Sequence, residues 1–329
     1  MNSMNTLLSP KDLAAAIGAS ESSLRRWIDS GDIRVSRTAG GHRRIPLGEA
    51  VQFIRKIGAV VVRPEVLNLP ALESDRSEAG AGADAGADEG RLFAALRDGR
   101  GDVANGLVLS WYVGGRSLHE LFDGPLRAAM HRLGELWEHD ERGILVEHRA
   151  TDICLGMIRG LRALLPPAPQ SAPLALGGAP QGDPYLVASL MAATVLAEAG
   201  LREVNYGANT PLELLTAEAG RSGARLVWLS VSTTEGAKAV RAAARKLAAA
   251  LAERDADLVV GGQASADSVP RGLPNVHAIR SMGELAAFAR GLLGRKATTR
   301  AAAARGEPTP RATPSTRGRA RSDRRRAAG

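Results

Sequence analysis

Three residues whose side chains could face a planar, metal-centred ligand lie close together in the middle of this chain. Nine residues separate Trp137 from the adjacent Glu147 and His148, within the stretch LGELWEHDERGILVEHRAT. An indole can cover the flat face of such a ligand, a carboxylate can bind a hydroxyl group, and an imidazole can bind the metal. Gly143 interrupts the helical pattern, so we expect Trp137 to end one helix and Glu147 to begin the next. The alternative is a buried core tryptophan beside a helix-start pair without a ligand.

The composition indicates a chain of several domains. Its 329 residues, 44% of them apolar, are enough for two or three hydrophobic cores. The single cysteine, Cys154, excludes a disulfide framework and a cysteine-rich zinc site, and its apolar helical surroundings predict a structural thiol. The sequence has neither a signal-peptide pattern nor an apolar run of membrane-spanning length. We therefore expect a cytoplasmic, nucleoid-associated protein with no membrane partner.

The charge is distributed unevenly along the chain, whose formal net charge is +8. Residues 295–329 contain 11 Lys and Arg against 2 acidic residues, and residues 1–63 contain 10 against 5. Residues 64–294 contain 22 against 28. Basic ends and an acidic middle are typical of a DNA-reading end, a ligand-sensing middle and a basic tail.

Residues 1–63 have the pattern of a winged helix-turn-helix. Ser9 and Pro10 begin a first helix that ends at Gly18, and a second helix runs from about Ser20 to Ser30. Two short strand-like runs follow, joined by a turn whose paired glycines permit a tight hairpin, the wing. Polar or basic side chains on the second helix and the wing, with one turn glycine, are expected to contact DNA. They are Ser22, Ser23, Arg25, Arg26, Arg37, Gly41, His42, Arg43 and Arg44.

The run LRRWIDSGDIRVSRTAGGHRRI resembles the winged helix-turn-helix of the MerR family. The resemblance covers about residues 6–57, including a third helix from Pro46 to about Ile57, and Ile45 stands where an aromatic residue is common. It implies that double-stranded operator DNA is a partner. Residues 64–90, rich in acidic residues, Ala and Gly, predict a flexible linker.

The remaining sequence predicts two further domains and a tail. Within residues 91–168, helices at about 91–98, 102–113, 117–138 and 144–165 predict a four-helix bundle. In residues 172–294, short strands alternate with helices, which predicts a doubly wound parallel sheet of Rossmann-like type. The fold class is therefore multidomain α and α/β. Residues 295–329 predict a disordered basic tail that adds salt-sensitive attraction to DNA.

A four-helix bundle followed by a doubly wound sheet resembles the cobalamin-binding module of methyltransferases and light-sensing repressors. The resemblance covers about residues 91–294, and the phrases YGANTP, LSVSTT and VVGGQA stand where that family has comparable loops. It implies adenosylcobalamin as cofactor, with Trp137 over the adenosyl group and His148 as a cobalt ligand. The implied cofactor-binding residues are Trp137, Glu147, His148, Tyr185, Ser230, Ser232, Thr233, Gly261 and Gly262.

The loop that binds cobalt from below departs from the family pattern. Family members that bind cobalamin with its own base displaced usually carry Asp-x-His-x-x-Gly or a near variant, whereas this chain has Tyr185 at the histidine position and Ala188 at the glycine position. A phenol with a pKa near ~10 is a poor substitute for imidazole. Three alternatives stay open. Cobalamin binds with its own base retained or with only His148 above; the ligand is another planar chromophore such as a bilin; or the pocket is empty and serves assembly.

The function expected from these patterns is that of a transcription regulator rather than an enzyme. The resemblance implies a repressor whose ligand controls its assembly into a homo-oligomer, a dimer or tetramer, and whose stimulus is light. One alternative is a ligand-free regulator that acts through protein contacts, including those with a related regulator. A second is a corrinoid-carrying methyltransferase module, against which Tyr185 and the DNA-binding region both count.

Overall fold

The computed structural model describes residues 6–67, residue 69, residues 85–136 and residues 142–304. The chain divides into two compact units, Met1–Arg290 and Gly291–Gly329. None of the described helices is long and apolar enough to cross a membrane. The centre of the predicted linker, residues 70–84, and most of the predicted tail, residues 305–329, lie outside the described residues.

The N-terminal region, here called the head, forms the predicted winged helix-turn-helix. Its helices are α1 (Pro10–Ile17), α2 (Glu21–Asp29) and α3 (Leu47–Ile57), and its strands are β1 (Leu7–Leu8), β2 (Ser36–Arg37) and β3 (Arg43–Pro46). Ser9 and Asp12 form a capping box at the start of α1, and Gly18 ends that helix in the left-handed conformation. Strand β3 lies between β1 and β2, antiparallel to both.

The linker that we predicted over residues 64–90 is ordered at both ends. Residues Pro64–Leu67 form a 3₁₀ turn, and helix α4 (Ala85–Arg97) begins six residues before the predicted start of the bundle. The extra helical turn is stabilised because the buried carboxylate of Asp88 accepts a bond of 2.7 Å from Arg116. A pairing over 28 positions in the sequence is not visible in local composition.

The bundle continues with α5 (Gly101–Val113), α6 (Leu118–Leu121), α7 (Arg127–Leu136) and α8 (Arg142–Ala163). The single helix predicted over residues 117–138 is wrong, since a π-type turn (Phe122–Leu126) separates α6 from α7. Gly124 has non-helical backbone angles there, and Pro125 has no N–H to continue the helix. Cys154 is buried, and burial raises the pKa of its thiol to about 12, as expected for a structural cysteine.

The C-terminal domain contains a five-stranded parallel sheet. Its strands are β4 (Leu174–Gly178), β5 (Arg202–Asn205), β6 (Leu226–Ser230), β7 (Asp257–Gly261) and β8 (Val276–Ala278). Their order in the sheet is β5-β4-β6-β7-β8. The helices are α9 (Val187–Glu198), α10 (Leu212–Ser222), α11 (Ala237–Ala252) and α12 (Met282–Ala304). The predicted doubly wound fold is therefore confirmed.

Helix α12 corrects the predicted tail. We expected disorder from residue 295, but the helix continues to Ala304. Five of the residues after Lys296 in this helix are alanine, the residue with the highest helix propensity, so the basic composition alone did not exclude a helix.

Candidate functional site

Helix α2 has an apolar face that is buried in the head and a polar face that is exposed to solvent. Leu24 and Ile28 are buried in the head, whereas Ser22, Arg25 and Arg26 are exposed and Ser23 is half-buried. The hydroxyl of Ser20 accepts a bond from the Ser23 N–H and so caps the helix. The exposed face carries two guanidinium groups with donors suited to phosphate oxygens or base edges.

The wing adds further basic residues beside this helix. Arg37, Gly41 and His42 are exposed in the hairpin, and Gly41 has a φ of 78° that the turn requires. The guanidinium of Arg43 lies 2.7 Å from the carboxylate of Asp29, the last residue of α2. Arg43 therefore joins the wing to α2, a positioning contact that the sequence did not indicate. Arg44, half-buried in the same strand, is the neighbouring cation.

The second candidate site is a crevice at the carboxyl ends of the parallel strands. The strand order reverses between β4 and β6, and ligands of doubly wound folds bind outside the strand ends at such a point. The loops that follow β4, β5 and β6 meet here, and one residue joins them. The side chain of Asp183, 1% exposed, accepts bonds from the N–H groups of Tyr185 (3.1 Å) and Ser232 (2.5 Å).

Asn209 completes this loop framework. Its side-chain oxygen accepts a bond of 3.1 Å from the Gly182 N–H, and its own N–H donates to the carbonyl of Asp183 over 3.0 Å. Its φ of 52° is in the left-handed region, which asparagine tolerates better than most residues. Sequence reasoning placed Asp183 and Asn209 in the strand-end loops but gave neither a role, because their role depends on loops that are 26 to 49 residues apart.

The crevice residues predicted from the sequence serve mainly to fit the loops together. Ser230 is buried at the end of β6, Ser232 donates to Asp183, and the Thr233 hydroxyl accepts a bond of 3.1 Å from the Glu235 N–H. A Cβ atom at Gly262, where φ is 109°, would overlap the carbonyl oxygen of Val231, and one at Gly261 would come within 3.0 Å of the Ile279 oxygen. Close backbone packing therefore explains both glycines without a ligand.

The sheet face beneath α9 is filled by a tryptophan. Trp228, in β6, is 1% exposed, and a Cβ atom at the neighbouring Gly177 would overlap its indole ring. The indole N–H donates over 3.3 Å to the hydroxyl of Ser189, which bonds to Asn205 in turn. An open cleft of about 430 Å³ adjoins the same loops, lined by residues that include Gly182, Glu213 and Glu235.

Of the predicted group Trp137, Glu147 and His148, the structure describes the last two, because Trp137 lies outside the described residues. At the start of α8, Glu147 is half-buried and His148 is exposed. Ile144 and Leu145 are also exposed, and they precede His148 by four and three residues, so they share its helix face. This turn of α8 therefore presents apolar side chains beside an imidazole.

The loop after β4 does not supply a histidine as cobalt ligand. Tyr185 is 53% exposed, and it bonds to Asp183 through its backbone N–H. His148 is then the one nitrogen donor among the predicted cofactor residues that the structure describes. No three His, Cys, Asp or Glu side chains in the described part of the chain could together hold a metal ion. The residues present fit a corrinoid that takes no ligand from the β4 loop. They do not fit a corrinoid whose cobalt is bound by a histidine of that loop.

Comparison with known proteins identifies two domains. Residues 7–56 match the model of a helix-turn-helix domain, and residues 89–162 match the model of a B12 binding domain. No curated protein matches the chain.

Several solved structures are similar to part of this chain. The monomethylamine corrinoid protein of Methanosarcina barkeri is 17% identical, with a TM-score of 0.50 over 61% of this chain and 96% of that chain. A cobalamin-binding protein of Desulfitobacterium hafniense is 17% identical, with a TM-score of 0.32 over 65% of this chain and 98% of that chain. At this identity, the first likeness establishes the fold. The chain thus carries a helix-turn-helix domain and a B12 binding domain, and its sheet domain has the fold of a corrinoid protein.

Proposed function

We propose that this chain is a MerR-type transcription regulator, acting as a repressor, that binds operator DNA through its head and cobalamin through its C-terminal module. One observation carries this proposal. An exposed basic helix-and-wing surface and a B12 binding domain lie in one compact unit, and partly buried hydrogen bonds join them. A ligand in the second domain can then influence DNA binding by the first. We propose no catalytic role, and we place the protein in the cytoplasm.

The head would bind DNA in two ways. The exposed face of α2, with Ser22, Arg25 and Arg26, has the size and polarity to enter a major groove. The wing arginines Arg37 and Arg44 would bind phosphates, which adds affinity that falls as salt concentration rises. The pairing of Arg43 with Asp29 would hold the wing at a fixed angle to α2.

The C-terminal module would hold the corrinoid between the start of α8 and the crevice loops. His148 is the proposed axial donor, and Glu147 is the proposed partner of a ligand hydroxyl. A bound adenosylcobalamin would supply a cobalt–carbon bond that light can break, so we propose light as the stimulus. We also propose a homo-oligomer, which the exposed apolar side chains of Val204, Tyr206 and Leu214 support.

A spectrum of the reconstituted protein tests this proposal. The full chain is incubated in darkness with adenosylcobalamin, and separately with biliverdin, then desalted and measured before and after illumination. We expect a retained corrinoid band that changes on illumination, and weaker retention by the His148→Ala variant. His131→Ala is the matched control, because His131 is also an exposed histidine in the bundle. Absence of a retained corrinoid band in the wild-type protein would contradict the proposal.

The second candidate is a regulator whose module binds no corrinoid and works through protein contacts, including those with a related regulator. The exposed phenol of Tyr185 at the histidine position favours it. In the same spectrum, a retained biliverdin band would point to a different chromophore. A colourless protein would support the ligand-free alternative.

A further inference from the structure

A partly buried cluster of four side chains joins the head to both following domains, and we call it the α3 junction. It consists of Gln52 and Arg55 from α3, Tyr112 from α5 and Glu198 from α9. The guanidinium of Arg55 lies 3.8 Å from the centre of the Tyr112 ring. It donates to the backbone carbonyls of Tyr112 and Arg116, the latter over 2.8 Å.

The two remaining members bring the helices of the bundle and the sheet domain into the same cluster. The Gln52 amide donates over 2.9 Å to the hydroxyl of Tyr112. Glu198 lies 3.8 Å from the Arg55 guanidinium, and its carboxylate accepts the N–H of Leu118, the first residue of α6, over 3.1 Å. Three domains thus meet at one guanidinium and one carboxylate.

The charges at the junction favour either an intact cluster or a fully opened one. The side chains of Arg55 and Glu198 are only 15% and 22% exposed. Burial raises the pKa of Glu198, and the N–H of Leu118 and the charge of Arg55 partly offset this effect. A partial separation would leave a poorly solvated carboxylate without its partner, which is costly. The cluster therefore resists small distortions and favours discrete arrangements.

Helix α9 connects this junction to the crevice. It begins directly after Leu186, in the loop that Asp183 organises, and it ends at Glu198. Its 12 residues span about 18 Å at the helical rise. Buried side chains such as Leu196 pack it on the domain core, and Ser189 bonds to Trp228 of the sheet. A displacement of the crevice loop is therefore carried along a stiff element to Glu198.

On the other side, α3 is continuous with the wing. Strand β3 ends at Pro46, which directly precedes the first residue of α3. The N–H of Leu47 donates to the carbonyl of Thr6, just before β1. A tilt of α3 would consequently move β3 and the basic side chains that it carries.

We propose that α9 and the α3 junction transmit the arrangement of the crevice loop to α3 and thereby to the wing. That cobalamin is the natural signal rests on the proposed function. The mechanical link from the crevice loop to the wing does not. A ligand shifts such a link only if it binds one arrangement more tightly than the other. The loop around Asp183 is the part of the crevice where a ligand would make that distinction.

A double-mutant experiment tests the link without any ligand. Asp183→Asn perturbs the crevice loop in the full chain, and amide hydrogen exchange is measured in α3 and, as an internal reference, in α7 of the bundle. We expect exchange in α3 to become about fivefold faster in the wild-type background, within the usual range for coupled sites. In the Glu198→Gln background, where the junction is already weakened, Asp183→Asn should have almost no further effect on α3.

Two further variants keep the test decisive. Arg221→Gln changes an exposed arginine that pairs with Glu218 on α10, away from the route, so its background should respond like the wild type. If Glu198→Gln fails to fold, Tyr112→Phe replaces it as the background with a weakened junction. Tyr112→Phe removes only the hydroxyl that accepts the Gln52 amide, and the effect of Asp183→Asn on exchange in α3 should be smaller in this background. Equal responses in all backgrounds, or an equal rise of exchange in α7, would overturn the proposal. A protein that binds no corrinoid yet shows the coupled response would contradict the proposed function alone.

Discussion

On the α2 face of the head, Arg25, Arg26 and Ser22 are exposed to solvent, whereas the polar groups at the crevice bond mainly to the crevice itself. Asp183, Ser232 and Asn209 connect three loops, and Gly262 allows two backbone segments to touch. Charged side chains at a surface can bind a polyanion without prior rearrangement. Loops whose polar groups already have partners bind a ligand by shape, or by exchanging one hydrogen bond for another.

This difference suggests how the two domains divide their roles. The head supplies direct contacts to DNA, so single substitutions there should change affinity and leave the fold intact. The crevice is part of the structural framework, so substitutions there should change stability first. The following predictions test this division, beginning with the largest expected effect.

Gly262→Ala should lower the free energy of unfolding by about 3 kcal/mol, because the added methyl overlaps the Val231 carbonyl and the φ of 109° disfavours alanine. Urea unfolding followed by circular dichroism measures this loss. Gly160→Ala is the control, since Gly160 lies in α8 with open space around it, and it should be neutral or stabilising by up to about 1 kcal/mol. Equal effects of the two changes would mean that the crevice loops are not tightly packed.

Arg25→Ala should weaken DNA binding about tenfold, because a side-chain contact to a base edge in the major groove is worth about 1–3 kcal/mol. Fluorescence anisotropy with a labelled duplex measures the affinity. The unfolding free energy should change by less than about 0.5 kcal/mol, as for other surface positions. Arg221→Ala, an exposed arginine on α10, should leave DNA binding unchanged.

Tyr185→His should change the unfolding free energy by less than about 0.5 kcal/mol, because the side chain is 53% exposed. It would nevertheless place an imidazole at the position that the sequence resemblance compares with a cobalt-binding histidine. We expect stronger retention of cobalamin after desalting. Tyr206→His is the control, since it alters another exposed tyrosine in the following loop. Equal retention by both variants would show that position 185 does not face the corrinoid.

The sequence was most informative where structure depends on neighbouring residues. Ser9, Gly18 and Gly41 predict helix and turn boundaries through local backbone chemistry, and the structure confirms the head that they imply. The break at Gly124 and Pro125 carried a local signal too, but the apolar periodicity across it favoured one long helix.

The crevice was less predictable from sequence. Whether Asp183 binds a ligand or a neighbouring loop depends on Ser232, 49 residues away, and the start of α4 depends on the pairing of Asp88 with Arg116. Composition also favoured a disordered segment before α4, since alternating Ala, Gly and acidic residues lack an apolar face. Such long-range pairings are set by the packed structure and leave no local pattern.

The central claim is that the cobalamin-binding module controls DNA binding by the head. Its most direct test is the affinity of the full chain for a duplex selected from a random-sequence pool, measured for three preparations. These are cofactor-free protein, protein loaded with adenosylcobalamin in darkness, and the same loaded protein after illumination. We predict the tightest binding in the dark loaded state and a loss of at least about fivefold on illumination, a typical coupling. Equal affinity in all three preparations would contradict the claim.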